Sequence, residues 1–137
     1  HLTFSDHIRS LQKSANYTLH RLWKIRSCLD REMTQSLAQT LIMSKLDYCN
    51  ALFTGLPQKE IQKLQKIQNR CAKFVARASQ RDHVTPLLRE LHWLPVACRI
   101  QFKVILLIFK CLMDQAPPYL SELVERKQHG RQLRPGS

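Results

Sequence analysis

Apolar residues recur at steps of three and four through most of the chain, with polar residues between them. Ile8, Leu11, Ala15, Leu19, Leu22, Trp23 and Ile25 make the first such line. That is the period of a helix buried on one side. It predicts a helix to about Leu29, with Ser5 and Asp6 as its caps. Arg9, Lys13, Arg21 and Lys24 fall broadly opposite, as an ordinary solvated face. Trp23 reads as packing at the edge of the core rather than as a platform for stacking a base. A second helix is expected from Asp30, its cap, to about Phe53. Its apolar residues follow two lines, Met33-Leu37-Leu41 and Ile42-Leu46-Cys49-Phe53, so two neighbours are expected to cover it. Asp47 and Tyr48 read as hydrogen-bonding groups at its end. Gly55 stops this helix before the next begins.

The stretch from Pro57 to Arg81 carries the strongest pattern. Ile61, Leu64, Ile67, Cys71, Phe74, Val75 and Ala78 define a buried face. Pro57 suits the first helical position, and Glu60 the first turn. Lys59, Lys63, Lys66, Arg70, Lys73, Arg77 and Arg81 recur at the same steps. At about 100° per residue they share an arc of roughly 80°, centred roughly 110° from the apolar face. No acid falls within this arc. Like charges at i,i+4 disfavour an isolated helix by a few tenths of a kcal/mol per pair. A polyanion lying along the stripe would reverse that, because each neutralised phosphate releases a counterion. A solvated basic face on a basic protein is the other reading of the same stripe.

After a polar break at Ser79–Asp82, Thr85-Pro86 signals a cap followed by proline in the first helical position. Leu87, Leu88 and Leu91 make a short amphipathic helix. His92-Trp93-Leu94-Pro95 reads as a compact apolar corner anchored by Trp93, with Pro95 opening the next helix. Residues 104–109, Val-Ile-Leu-Leu-Ile-Phe, are apolar on every side. A helix over roughly 96–113 is therefore expected at the buried centre of the fold. Pro117-Pro118 starts a last short helix to about Arg126. The residues after it are polar and basic and predict a disordered tail. The expectation is an all-α protein. It has a single domain of about five to six helices over 1–127, packed around the helix at 96–113, and a flexible tail at 128–137.

Composition narrows the partner. Lys plus Arg number 22 against 10 acids, a formal net charge of +12. Nucleic acid fits this balance first and an anionic membrane second. The longest apolar run is cut by Arg99, Lys103 and Lys110, short of the roughly 20 residues a span needs, so no membrane crossing is expected. Cys28, Cys49, Cys71, Cys98 and Cys111 are odd in number and lack metal-ligand or disulfide spacing. They read as buried free thiols in a reducing, intracellular setting, nuclear or cytoplasmic. There is no Gly-x-Gly-x-x-Gly, no phosphate loop, no Gly-x-Ser-x-Gly and no His-Glu-x-x-His. The five Asp are scattered, mostly at expected helix ends, and no adjacent pair could hold magnesium. No catalytic residue is assigned, and no cofactor or metal is expected in this chain. The chain begins at His1 rather than Met, and it is expected to be a piece of something longer.

Several runs together resemble a known family. They are Leu46-Asp47-Tyr48-Cys49-Asn50, Gly55-Leu56-Pro57, Leu64-Gln65-Lys66-Ile67-Gln68-Asn69 and Glu90-Leu91-His92-Trp93-Leu94-Pro95-Val96. Arg99-Ile100, Phe102-Lys103 and Ala116-Pro117-Pro118-Tyr119-Leu120 extend the likeness. In order and spacing they resemble the C-terminal part of reverse transcriptases of non-LTR, LINE-type retrotransposons, in the chicken-repeat and jockey branch. Leu2-Thr3-Phe4-Ser5-Asp6-His7-Ile8 looks like that family's segment just after the palm. The resemblance implies the helical thumb and following helices of an RNA-directed DNA polymerase. Such a thumb closes on the backbone of the template–primer duplex, an RNA–DNA hybrid. It implies palm and fingers upstream, where the Tyr-x-Asp-Asp motif and its magnesium belong; this chain has no such motif. The alternative is a helical interaction or scaffold domain, or a translated relic of an old element. Phe102, Ile105 and Phe109 would then dock a protein or mediate self-association.

Overall fold

The computed structural model describes residues 3–52 and 55–119. Among the described residues the fold is all-α, as the periodicity predicts. Helix α1 spans Phe4–Ile25 and closes with a 3-10 turn, Arg26–Cys28. Helix α2 runs over residues 31–52 in three parts: α-helical Arg31–Ala38, a π turn at Gln39–Met43, and α-helical Ser44–Leu52. Helix α3 is Gln58–Ala76, α4 is Val84–Glu90 and α5 is Val96–Leu112. Two compact units divide the chain, His1–Ile100 and Gln101–Ser137.

The caps explain where the first helices start. Thr3, not Ser5 or Asp6, is the N-cap of α1. Asp6 takes the third helical position and completes a capping box: the Thr3 hydroxyl accepts from the Asp6 N–H at 3.2 Å, and Asp6 Oδ2 accepts from the Thr3 N–H at 3.2 Å. Hydrogen bonds from the Thr3 side chain and backbone hold the Asp6 carboxyl below the usual carboxylate range. Asp30 caps α2 as expected, accepting from the Met33 N–H at 2.7 Å. Gly55 adopts a φ of +88° in the connection to α3, a conformation glycine reaches without strain. Pro57 stands at the N-cap of α3 rather than inside it. Helix α4 starts one residue before Thr85-Pro86, with His83 at its N-cap. Pro86 is tolerated there because first-turn N–H groups have no intrahelical acceptor.

The two apolar lines of α2 resolve into one buried line. Thr34, Ala38, Ile42 and Leu46 are buried, while Met33 and Leu41 are exposed. Steps of four drift around an ideal 3.6-residue helix. The π turn unwinds the backbone at its middle and keeps those steps on one face. The first unit's core joins this line to Ile8, Ala15, Leu19 and Leu22 of α1 and to Leu64, Ile67, Cys71, Phe74 and Val75 of α3. Leu88, Leu91, Trp93, Val96 and Ile100 complete it.

Four of the runs that carry the family resemblance meet at one corner of this unit. Gln68 is fully buried and its Nε2 donates to the Leu94 carbonyl at 2.8 Å. Gln65 Oε1 accepts from the Val96 N–H at 2.9 Å, satisfying an unpaired donor at the start of α5. Gln65 Nε2 donates to Gln68 Oε1 and Asn69 Oδ1, both at 2.8 Å. Arg99 bonds the Leu94 carbonyl and forms a 2.6 Å ion pair with Asp47, which is therefore a long-range anchor rather than a local helix-end group. Gln68→Ala removes a buried side chain and two hydrogen bonds of this corner, leaving Arg99 as the donor to the Leu94 carbonyl, at an expected cost of about 1–3 kcal/mol. Urea unfolding checks this: the midpoint drops at unchanged slope, and an unmoved midpoint contradicts it.

The expectation of a buried helix at 96–113 needs correction. Val96 and Ile100 are core residues of the first unit. In the second unit Phe102, Ile105, Leu106, Leu107, Ile108, Phe109, Leu112 and Met113 are exposed, Ile105 by 65%. An apolar circumference states how much cover a helix would accept, not whether the cover is at hand. The second unit's described part ends α5 with Asp114 in the left-handed region, where the Gln115 N–H donates to the Lys110 carbonyl at 2.8 Å. The expected tail, and nearly all of the helix expected to reach Arg126, lie outside the described residues.

Candidate nucleic-acid interface

Helices α1 and α3 pack side by side along their length. Ser5 meets Glu60, Gln12 meets the Lys63 carbonyl, Asn16 meets Arg70 and Trp23 meets Phe74. Both numbers rise together, so the helices run parallel, with α2 as the return between them. Their apolar residues interdigitate in the seam. The positions flanking the seam are polar on both helices and face one another across it.

The seven basic residues of the expected stripe do not act alike. Lys66 and Arg70 are exposed, and Arg70 Nη1 donates to Asn16 Oδ1 at 2.7 Å. Lys73 is half-buried, with Nζ donating to the Gln80 carbonyl at 2.8 Å. These three stand together beside α1. Lys59 is exposed in the first turn of α3. Lys63 lies 3.2 Å from Glu60 Oε1, so one acid does offset the stripe. Glu60 is buried, and its Oε2 has no hydrogen-bond partner among the described residues. The helix ends at Ala76, and Arg77 turns left-handed at φ +55°. The Ala78 N–H then closes the helix on the Lys73 carbonyl at 3.0 Å. The Arg77 side chain stays exposed and donates to the carbonyls of Leu29 at 2.8 Å and Arg26 at 3.3 Å. It thereby gives the Leu29 carbonyl a donor and adds a second to the Arg26 carbonyl, which the Leu29 N–H already bonds at 3.1 Å. Arg81 lies in the turn beyond the helix, its N–H held by Ser79 Oγ at 3.0 Å. The stripe of seven is thus a cluster of three, two outliers and two cations with structural partners.

A cleft of about 580 Å³ runs between the two helices beside that cluster. Lys66, Arg70 and Lys73 line one wall, and Asn16, His20 and Trp23 line the other. Asn69 and Gln80 add amides. A smaller hollow of about 320 Å³ continues it, sharing Asn16, Lys66 and Arg70 and adding Arg9 and Lys13. No Asp or Glu is among the described residues lining either hollow. Five cations therefore face one groove without a carboxylate to neutralise them, which concentrates positive potential there.

Arg9, Lys13, Asn16, His20 and Trp23 were not recognisable as site residues from α1 considered alone. The signal was nonetheless in the spacing. They recur at steps of four, three, four and three, as do Lys59, Lys63, Lys66, Arg70 and Lys73. Two polar lines with one period, each beside an apolar line, border a groove when their helices pack in parallel.

Trp23 closes one end of the cleft. Its edge packs on the buried Phe74, with ring centroids 5.5 Å apart. The Arg26 guanidinium lies 4.2 Å from its centroid. Burial, then the neighbouring Arg77 guanidinium, pulls Arg26 below the usual guanidinium range. Cys71 offers no competing chemistry. Burial pushes the Cys71 thiol up to about 12, so it stays protonated and is a poor nucleophile. Cys28 and Cys98 are exposed, so the expectation that all five thiols are buried fails for these two.

Among the described residues no group of three His, Cys, Asp or Glu could hold a metal ion. No helix among them is long and apolar enough to cross a membrane. What the site offers is cations, amides, an imidazole and an indole along one open groove. No protein-family model matches the chain, and neither a curated protein nor a solved structure does.

Proposed function

We propose that this chain is a nucleic-acid-holding module that seats a phosphate backbone in the groove between α1 and α3. The observation that carries it is the acid-free line of Arg9, Lys13, Lys66, Arg70 and Lys73 along that groove. Cations at steps of three and four on a helix stand about 5–6 Å apart, close enough for successive phosphates to engage neighbouring side chains. Such contacts hold without reading sequence. This reading agrees with the sequence resemblance to the thumb of a LINE-type reverse transcriptase, whose ligand would be an RNA–DNA hybrid. Palm, fingers and catalytic acids would then belong to a parent chain, and this one grips without catalysing.

The test is a fluorescence titration of a short RNA–DNA hybrid at several salt concentrations. Five phosphate contacts give log K against log salt a slope of about −4 to −5. A slope near zero removes the backbone grip. One observation favours a second reading, a protein-docking or self-associating scaffold: the exposed Phe102, Ile105 and Phe109 of the second unit. Light scattering on the same samples separates the two. Assembly that grows with protein concentration and ignores the hybrid belongs to the second reading.

A further inference from the structure

The two ends of the groove differ in chemistry. The Arg9–Lys13 end offers cations. The Trp23 end adds an aromatic ring, an imidazole and three amides. We propose that the Trp23 end seats one unpaired base, so that the groove holds a single strand, or the frayed end of a duplex, more tightly than continuous duplex. This rests on the backbone grip proposed above.

The indole is placed for it. Trp23 is 46% exposed, whereas Trp93, which packs in the core, is 6% exposed. Arg26 covers one face of the Trp23 ring at 4.2 Å. Phe74 lies 5.5 Å from the indole centroid and 5.8 Å from the same guanidinium, which puts it beside the ring rather than opposite Arg26. The other face is covered by neither. Trp23 lines the cleft and Arg26 does not, so the guanidinium does not stand between the indole and the cleft. A guanidinium on the rear face holds the ring in place, as a stacking platform requires.

The amides suit a base edge. Asn16 Oδ1 accepts from Arg70, and Asn69 Oδ1 accepts from Gln65. Their NH2 groups have no hydrogen-bond partner among the described residues and remain as donors. Donors match the ring carbonyls of thymine, uracil and guanine. Lys73 and Arg70, on the facing wall, take the phosphates flanking such a base. A base still paired in a duplex could not enter, because both its faces are stacked and its edge is occupied.

The two tryptophans make the test direct, since Trp93 is shielded and Trp23 is not. The probes are an eight-nucleotide oligothymidylate, an abasic oligomer of equal length and a blunt duplex, titrated into the intact chain. Oligothymidylate is expected to quench indole emission and to bind roughly ten-fold or more tighter than the abasic oligomer. Trp23→Ala is expected to remove that difference and the quenching, while Trp23→Phe, which keeps a ring face, retains most of the affinity difference. If thymidylate and abasic oligomers bind equally, with the same steep salt dependence, the grip stands and the base seat falls. If no probe shows salt-dependent binding, the grip falls and the seat with it.

Discussion

Changing Lys66, Arg70 and Lys73 together to Glu lowers the affinity for an RNA–DNA hybrid by about 100- to 1,000-fold at 0.1 M salt. The magnitude follows from counterion release. Each lost phosphate contact removes about 0.9 from the salt slope, or roughly eight-fold in affinity at that concentration. Three contacts compound to several hundred-fold, and the slope flattens by about 3. A second triple variant separates the groove from overall charge. Lys24, Lys45 and Arg89 line neither hollow of the groove. Reversing those three changes the net charge by the same amount. It should act only through long-range attraction, which salt screens over about 10 Å at 0.1 M. The measurement is a salt-series titration of both triple variants, with circular dichroism to show that each is folded. Equal losses in the two variants would place the binding in overall charge rather than in the groove. Lys66 and Arg70 are exposed and Lys73 half-buried, so the substitutions leave the core untouched.

The fold was legible where a local rule decides. Asp30 caps α2 because a short acceptor stands three residues before the Met33 N–H. Gly55, placed before Pro57, takes the positive φ that glycine reaches without strain. The faces of α1 and α3 follow from apolar spacing, since each helix meets its neighbours along one seam. Legibility failed where the outcome depends on a partner distant in sequence. Arg77 continues the stripe by spacing, yet the carbonyls it satisfies belong to Arg26 and Leu29, about fifty residues earlier. Asp47 looked local and pairs with Arg99. The apolar run at 104–109 implied a central helix, but periodicity does not report which surfaces surround it. The site was half legible for the same reason. The α3 wall shows in the sequence as a run of cations. The α1 wall mixes Arg, Lys, Asn, His and Trp, and becomes a wall only because α1 lies parallel to α3. The runs that carry the family resemblance behave differently again. Gln65, Gln68, Leu94, Val96, Asp47 and Arg99 lock one corner of the core through hydrogen bonds, so what they report most directly is a packing arrangement.

Phe74→Ala is the substitution expected to cost most stability, about 3–5 kcal/mol. Phe74 is the largest fully buried side chain of the first unit. Removing its ring loses transfer energy and leaves a void that close packing resists collapsing around, since α1 and α2 both pack on α3. A domain of this size is stable by only about 5–15 kcal/mol, so the loss takes a large share. The consequence reaches the groove by a specific route. Phe74 supports the edge of Trp23 and lies 5.8 Å from the guanidinium of Arg26. Its loss lets the indole tip, so Trp23 emission changes under native conditions before any unfolding. Lys66 and Arg70 project from the outer side of α3 and do not depend on that ring. The variant should therefore keep its salt-dependent grip on the hybrid while losing the preference for unpaired thymidylate over its abasic counterpart. Phe74→Leu, which refills most of the space, should restore much of the stability but less of the Trp23 orientation, because an aliphatic side chain offers the indole edge no ring face to pack on. Urea unfolding followed by circular dichroism reads the first effect, and indole emission the second. A stability loss below about 1 kcal/mol would mean that the site relaxes around the void, and that Phe74 is not what holds Trp23 in place.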